Sequence, residues 1–348
     1  MNLLILNYSM NPMSSVFSHQ REVAVLLSRN FRNTFVITAE EIGAELSETL
    51  SLSSIVWKRR ETLRNIMNFY SLAVPILFRK RKSLVVFSHM TEVQSFLIAP
   101  ICWLLGIPHY LWYAHKSKSP FLFLSYPFLT GVITSTPGSC PIRGHKVHAI
   151  GQAIDHQVFS AVKSIPKNPP LCWYHVGRFD ESKQIHLIIE VFRELRSMGW
   201  KVTLDLYGEP SAGSSNQYYI DTLSSVSLFA DSNWFKYHGA ITRTQLPKIA
   251  ELHDGFVHAF QGSLDKAVLE GVMSKRVVVS INDEFLAEFG IQTESYRTLS
   301  EKLLSQMLQA LNQSNEFQVK QIEARWKIAF MKHSLENWIE KLTKIVLK

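Results

Sequence analysis

The sequence predicts an α/β protein made of two doubly wound domains. Three observations carry this. Short apolar runs of strand length alternate with stretches of helical periodicity through both halves of the chain. The 348 residues suffice for two domains of about 100–200 residues each. The most proline-rich stretch, Ala161-Val-Lys-Ser-Ile-Pro-Lys-Asn-Pro-Pro170, falls between the two runs and reads as a linker.

The opening run Leu3–Asn7 reads as a buried strand. It has neither the basic start nor the apolar length of a signal peptide. A helix follows at Ser18–Ser28, then a strand at Thr34–Thr38 and another at Leu84–Ser88. Val93 to Ala114 is the most apolar stretch, but Gln94, Ser95, Pro100, Gly106, Pro108 and His109 interrupt it. A membrane-spanning helix needs about 20 predominantly apolar residues. This stretch is therefore read as a buried helix, a turn at Gly106-Ile-Pro108 and a strand at Tyr110–Tyr113. Strands at Val132–Ser135 and Val147–Ile150 complete a first domain, 1–160. After the linker 161–170, strands are expected at Trp173–Val176, Thr203–Tyr207, Trp234–Tyr237, Gly255–Ala259 and Val277–Ser280. Helices are expected at Ile185–Ser197, Leu246–Leu252 and Lys266–Ser274, giving a second domain over 171–325. From Leu303 onward the pattern is helical, and 326–348 is set apart as a closing helix.

Composition narrows the function. With 46% apolar and 19% charged residues the chain is globular rather than disordered or collagenous. Three widely spaced cysteines, Cys102, Cys140 and Cys172, form neither a disulfide framework nor a CxxC metal site. A reducing, cytosolic setting fits best. The net charge of +8 is uneven. Residues 1–160 hold 15 Lys and Arg against 8 Asp and Glu, and the rest hold 22 against 21. Two clusters carry the excess, Lys58-Arg59-Arg60 and Arg79-Lys80-Arg81-Lys82. Such a face is either solvated or draws anionic headgroups, nucleic acid or phosphorylated substrates. No zinc-finger, RNP-type or helix-turn-helix pattern accompanies it, so nucleic acid is not expected.

In doubly wound domains ligands gather where strands end at the carboxyl edge of the sheet. The loop after the first strand, Tyr8-Ser-Met-Asn-Pro-Met-Ser-Ser15, has no glycine. Neither GxGxxG nor GxxxxGK[ST] occurs, which argues against a nicotinamide dehydrogenase and a P-loop NTPase. Two loops of the second domain are more informative. Gly177-Arg-Phe-Asp-Glu-Ser-Lys183 follows a strand and opens a helix. Gly177 permits a tight turn, and Arg178 and Lys183 add two cations beside a helix N-terminus, which favours a phosphate. Phe260-Gln-Gly-Ser-Leu-Asp-Lys-Ala-Val-Leu-Glu270 also runs from a strand into a helix. Gly262 and Ser263 make the turn, and the helix is expected from Ser263 or Leu264. The N–H groups near Asp265 and Lys266 suit a diphosphate. About two turns on, Glu270 is a carboxylate able to accept from two vicinal hydroxyls, as on a ribose.

In this order and context the two loops resemble glycosyltransferase family 4. The resemblance spans most of 171–285 and includes Leu206-Tyr-Gly208, Tyr237-His-Gly-Ala240 and Val277-Val-Val-Ser280. In the first half, Trp112-Tyr-Ala-His-Lys116 and Val147-His-Ala-Ile-Gly-Gln-Ala-Ile-Asp155 are similar to the family's acceptor domain. The resemblance implies a GT-B fold, two Rossmann-like domains facing across a cleft. It implies metal-independent transfer of a sugar from a nucleotide-sugar with retention of configuration. Arg178, Lys183 and His115 then carry catalysis: the two cations at the diphosphate, the histidine near the transferred sugar. Gly177, Ser263, Asp265, Lys266 and Glu270 hold the donor, Glu270 at the ribose. Ser14, Ser15 and Lys116 stand on the acceptor or phosphate side, with Ser18 in the same region. In GT-B enzymes the last helix often crosses back to the first domain, and Leu335, Trp338, Ile339 and Leu342 have the helical spacing to pack there, or equally on the second domain alone.

There are departures. The family's first glutamate falls on Gly262, which leaves Asp265 or the backbone to hold the sugar. Gln184 stands where the family has glycine, and the glycine-rich loop after the first strand is missing. Bacterial relatives build lipid-linked glycans at the inner face of the cytoplasmic membrane. The basic clusters and the apolar run Phe69–Phe78 fit peripheral attachment there, unless that run is a core helix. Two other functions fit the same fold: a nucleotide-sugar epimerase, and a non-catalytic nucleotide-sugar-binding protein. The loss of the first glutamate favours the second of these.

Overall fold

The computed structural model describes residues 1–11, 17–39, 50–55, 57, 61–210, 217–227 and 233–347. Ser14, Ser15, Lys58, Arg59 and Arg60 lie outside the described residues. The chain forms two compact units, 1–153 with 335–348, and 154–334.

In the first unit the chain runs β1 (Asn2–Asn7), α1 (Ser18–Ser28), β2 (Asn33–Thr38), β3 (Leu50–Ser54), α2 (Thr62–Lys80), β4 (Leu84–His89), α3 (Glu92–Leu104), β5 (His109–Trp112), α4 (Pro120–Ser125), β6 (Gly131–Thr134) and β7 (Val147–Ala149). The seven strands form one sheet in the order β3-β2-β1-β4-β5-β6-β7, parallel throughout. β1, β4, β5 and β6 are buried along their whole length, as central parallel strands covered by helices must be. Phe69, Ala73 and Leu77 of α2 enter the core, so Phe69–Phe78 is in part a core helix.

The second unit holds β8 (Cys172–Val176), α5 (Ile185–Ser197), β9 (Thr203–Tyr207), α6 (Gln217–Ser227), β10 (Phe235–Tyr237), α7 (Leu246–Leu252), β11 (Gly255–His258), α8 (Lys266–Met273), β12 (Val277–Ser280), α9 (Asp283–Glu288), α10 (Leu299–Asn312) and α11 (Asn315–His333). Its sheet is parallel, ordered β10-β9-β8-β11-β12. Gly255 is glycine because the Trp173 ring of the neighbouring strand fills the space of a Cβ. The last helix, α12 (Leu335–Val346), belongs to the first unit. It buries Leu335, Trp338, Ile339 and Leu342 there, with Trp338 edge-on to Trp112 at 5.1 Å between centroids.

The expected linker is not a free connection. Segment 161–170 is bound into the second unit. Lys163 and Ser164 donate their backbone N–H to Glu251 at 2.8 and 3.0 Å. Lys167 donates to the Asp254 carboxylate at 2.9 Å, and Asn168 to the Gln313 carbonyl at 3.0 Å. The prolines keep the segment out of helix and sheet, and side chains supply the missing partners. The units therefore divide at 153/154 and 334/335, not at 160 and 325. The first sheet also has a seventh strand, β3, unforeseen because its sequence LSLSS lacks β-branched residues.

Candidate functional site

In each sheet the strand order reverses direction at one place, the point at whose carboxyl edge open α/β sheets bind ligands. In the second unit this point lies between β8 and β11. The two loops singled out in the sequence follow these two strands, so topology brings Gly177–Lys183 and Phe260–Asp265 together.

Three close approaches shape the rim. Gly177 N–H donates to Tyr207 O at 3.1 Å, Phe179 N–H to Glu209 O at 3.0 Å, and Gly208 N–H to Gly239 O at 2.7 Å. Gly208 has φ +142°, and a Cβ there would overlap the Gly177 carbonyl. A Cβ on Gly177 would come within 2.9 Å of His175 Nε2. These glycines let the β8, β9 and β10 loops lie against each other. Gln184 takes the left-handed conformation (φ +52°) at the start of α5, a conformation that glycine adopts most readily.

Lys183 is buried, and its ammonium pairs with Asp265 and lies 4.1 Å from the centroid of the Phe260 ring. Asp265 caps α8, its Oδ1 accepting from Ala267 N–H at 3.3 Å. The helix consequently begins at Lys266 rather than at Ser263 or Leu264, and Glu270 sits in its second turn. Asp265 Oδ2 also lies 3.3 Å from His258 Nε2, and His258 Nδ1 lies 3.0 Å from Ser280 Oγ. Burial alone would push the Asp265 carboxyl up, but Lys183 and His258 outweigh it and hold the group well below the usual carboxylate range. Burial lowers the His258 pKa, against the pull of Asp265. A carboxylate only accepts, so neutral His258 carries its proton on Nε2 and accepts from Ser280 at Nδ1. Ser280 Oγ accepts in turn from the Asn282 N–H at 3.2 Å. The Asn282 amide donates to Phe260 O at 2.8 Å and Gly262 O at 3.1 Å, and Ser263 O lies 3.4 Å away. One network thus runs from β12 through β11 to the loop cation.

Gly262 has the Phe260 ring over it, and a Cβ would overlap that ring. Asp265 is directed at Lys183, His258 and the helix start. Lys266 is the first residue of α8, and Ser263 is buried in the turn before it. Glu270 is largely buried, with Oε1 3.4 Å from Arg243 Nε. Arg178 is half exposed, 3.6 Å from Asp180.

His175 is wholly buried and its Nδ1 lies 2.9 Å from Val257 O. A carbonyl fixes the proton on Nδ1, and Nε2 has no hydrogen-bond partner among the described residues. Burial lowers the His175 pKa to about 3, which keeps the ring neutral.

In the first unit the order reverses between β1 and β4. Buried Gln20 bridges that point, accepting from Tyr8 N–H at 2.9 Å and Ser9 N–H at 3.1 Å and donating to His89 O at 3.2 Å. His115 and Lys116 are exposed in the loop after β5, two strands from β1. That loop is anchored by Tyr113, whose hydroxyl donates to Ser117 O at 2.9 Å.

Sequence reasoning missed Arg243, His258, Ser280 and Asn282. Arg243 is 27 residues from Glu270, with no local pattern to link them. His258 and Ser280 pair only because β11 and β12 run in register. Among the described residues no group of three or more His, Cys, Asp or Glu is placed to hold a metal ion.

No protein-family profile matches the chain, and no curated protein matches it in sequence. Solved structures match over its whole length. HepE of Anabaena in complex with UDP and glucose is similar at 12% identity and a TM-score of 0.72, with 99% of each chain covered. A glycosyltransferase from Rickettsia africae is similar at 14% identity and 0.74, covering 100% of this chain and 99% of the other. Sucrose-phosphate synthase from Thermosynechococcus elongatus is similar at 12% and 0.73, covering 99% and 98%. At these identities the likeness establishes the fold, which is GT-B.

Proposed function

We propose that this chain is a retaining glycosyltransferase. It moves a hexosyl group from a nucleotide-sugar to a glycan or lipid-linked acceptor in cell-surface polysaccharide synthesis, without a metal ion. The observation that carries the reading is the junction of β8 and β11. A buried lysine meets the start of α8 there through Asp265, a half-exposed arginine stands in the same loop as the lysine, and a largely buried glutamate lies one helical turn on. The donor's diphosphate lies against Lys183, Arg178 and the N–H groups that begin with Lys266. Its ribose hydroxyls donate to Glu270, and Gly177 and Ser263 let the backbone come close. As the bond to the sugar breaks, charge grows on the departing diphosphate, and the two cations and the helix terminus offset it. The family resemblance and the UDP and glucose in the HepE structure support this reading. Incubation with UDP-, GDP-, ADP- and TDP-sugars and lipid-linked or glycan acceptors tests it. Acceptor-dependent release of one nucleoside diphosphate is expected. Binding without release by any donor favours a second reading, a non-catalytic nucleotide-sugar-binding protein, which the Phe260 ring over Gly262 would fit.

The acceptor side is assigned to the first unit, with His115 and Lys116 at its carboxyl edge, and the protein to the cytoplasmic side of a membrane. Among the described residues no helix is long and apolar enough to cross a bilayer. Surface attachment is a different matter. Leu63, Met67 and Phe78 are 79%, 70% and 55% exposed and share one face of α2 by helical spacing. Arg79, Lys80, Arg81 and Lys82 follow at its end. Cations beside apolar side chains suit an anionic leaflet. Vesicles containing phosphatidylglycerol are expected to bind the protein, and Arg79→Ala with Lys80→Ala to weaken that binding roughly thirtyfold, from about 1 kcal/mol per cation. Indifference to anionic vesicles at low salt removes the attachment.

A further inference from the structure

The second unit has two anion-attracting features at its switch point, the Lys183 ammonium and the α8 N-terminus. Both are already satisfied by one side chain. Asp265 pairs with Lys183 through Oδ2 and accepts the Ala267 N–H through Oδ1 at 3.3 Å. His258, itself held by Ser280, stands behind the same Oδ2. The carboxylate is thus where both features direct a phosphate. A second observation marks the spot as unfinished. His175 Nε2 is a buried acceptor with no partner among the described residues. It lies 2.9 Å from the position of a Cβ on Gly177, and Lys183 Cδ lies 3.8 Å from that same position. An acceptor beside Lys183 is unfilled while Asp265 holds the ammonium.

We propose that Asp265 is a built-in competitor for the donor's diphosphate, and that the Lys183–Asp265 pair must open before a phosphate takes the ground between Lys183 and α8. This rests on the donor-site reading above and deepens it. A ligand that must displace an internal anion binds more weakly and leaves faster than one entering an empty cationic site. Asp265 therefore limits how long the product nucleoside diphosphate stays bound, a step that sets turnover in many enzymes. The opposite role, in which Asp265 merely positions Lys183 for the donor, makes the opposite prediction for affinity.

Calorimetry on the full chain separates the two. The probes are inorganic pyrophosphate, UDP, GDP, ADP and TDP, and the proteins are wild type, Asp265→Asn, Asp265→Gly and Glu270→Ala. Asparagine keeps the cap of α8, and glycine guards against an effect peculiar to the amide. Pyrophosphate and the preferred nucleotide are expected to bind both Asp265 variants about tenfold tighter, since a like charge has left the site. The nucleotide should also raise their melting temperature more than that of wild type. Unchanged or weaker pyrophosphate binding by folded variants overturns the competitor role. The donor site itself stands in that case if wild type binds a nucleotide that Glu270→Ala loses. If none of the four proteins binds any probe, both proposals fall.

Discussion

Lys183→Ala is expected to lower turnover about 10²–10³-fold, the cost of removing one preorganised group from developing negative charge. Affinity for the donor should fall as well, because Asp265 is left uncompensated, but by less than turnover. In the unliganded protein the ammonium is matched by Asp265, so its attraction for a resting diphosphate is largely spent within the protein. The extra charge that appears as the sugar departs has no such internal match. Groups that act mainly on the transition state change kcat more than KM. Arg178 is half exposed, so water screens it, and Arg178→Ala should cost only about tenfold in turnover. Equal losses in kcat and affinity for Lys183→Ala would reduce it to a simple binding contact. The variant also leaves Asp265 without its cation, which destabilises the unit. His258 and the α8 N-terminus still serve that carboxylate, so folded protein should remain to be assayed.

Gly208→Ala is the second large effect. The residue has φ +142° and a backbone carbonyl, that of Gly177, in the space of the new methyl group. A side-chain neighbour could rotate away, but this one is fixed by the β8 and β9 loops on both sides. Overpacking and an unfavourable dihedral each cost about 1–3 kcal/mol, so a loss of about 3 kcal/mol is expected. For a unit of this size that lowers the melting temperature by roughly 6–12 °C. The strain falls on Gly177, so nucleotide binding should weaken in the same variant. A melting temperature within a degree of wild type would show that the loops are not held together as described.

Much of this could be read from residue order alone. α1, α5 and α7 stand at their expected bounds because amphipathic period and length agreed there. The central strands were legible as apolar runs between turn residues. β3 was not, since an edge strand of leucines and serines carries no periodic signal. The linker was misread because proline marks a break in regular structure, not a break in contact. Glu251 and Asp254, more than 80 residues away, hold that segment in place. At the site, a cation in one loop and a helix start in another were visible. Their meeting through Asp265 was not, because Lys183 and Asp265 lie 82 residues apart and only the strand order joins them. The Phe260 ring over Gly262 was equally hidden, although the glycine itself marked the departure.

The most direct test of the donor site is a thermal-shift screen of the full chain with UDP, GDP, ADP, TDP and CMP, run beside Glu270→Ala. A ligand that binds only the native state raises its melting temperature by mass action. Glu270 is largely buried beside Arg243 and lies one helical turn from the α8 N-terminus. One nucleoside diphosphate is expected to stabilise the wild type by several degrees, and Glu270→Ala, folded as before, to lose most of that shift. No shift with any nucleotide, or a shift that Glu270→Ala leaves unchanged, would contradict the placement of a nucleotide-sugar between β8 and β11.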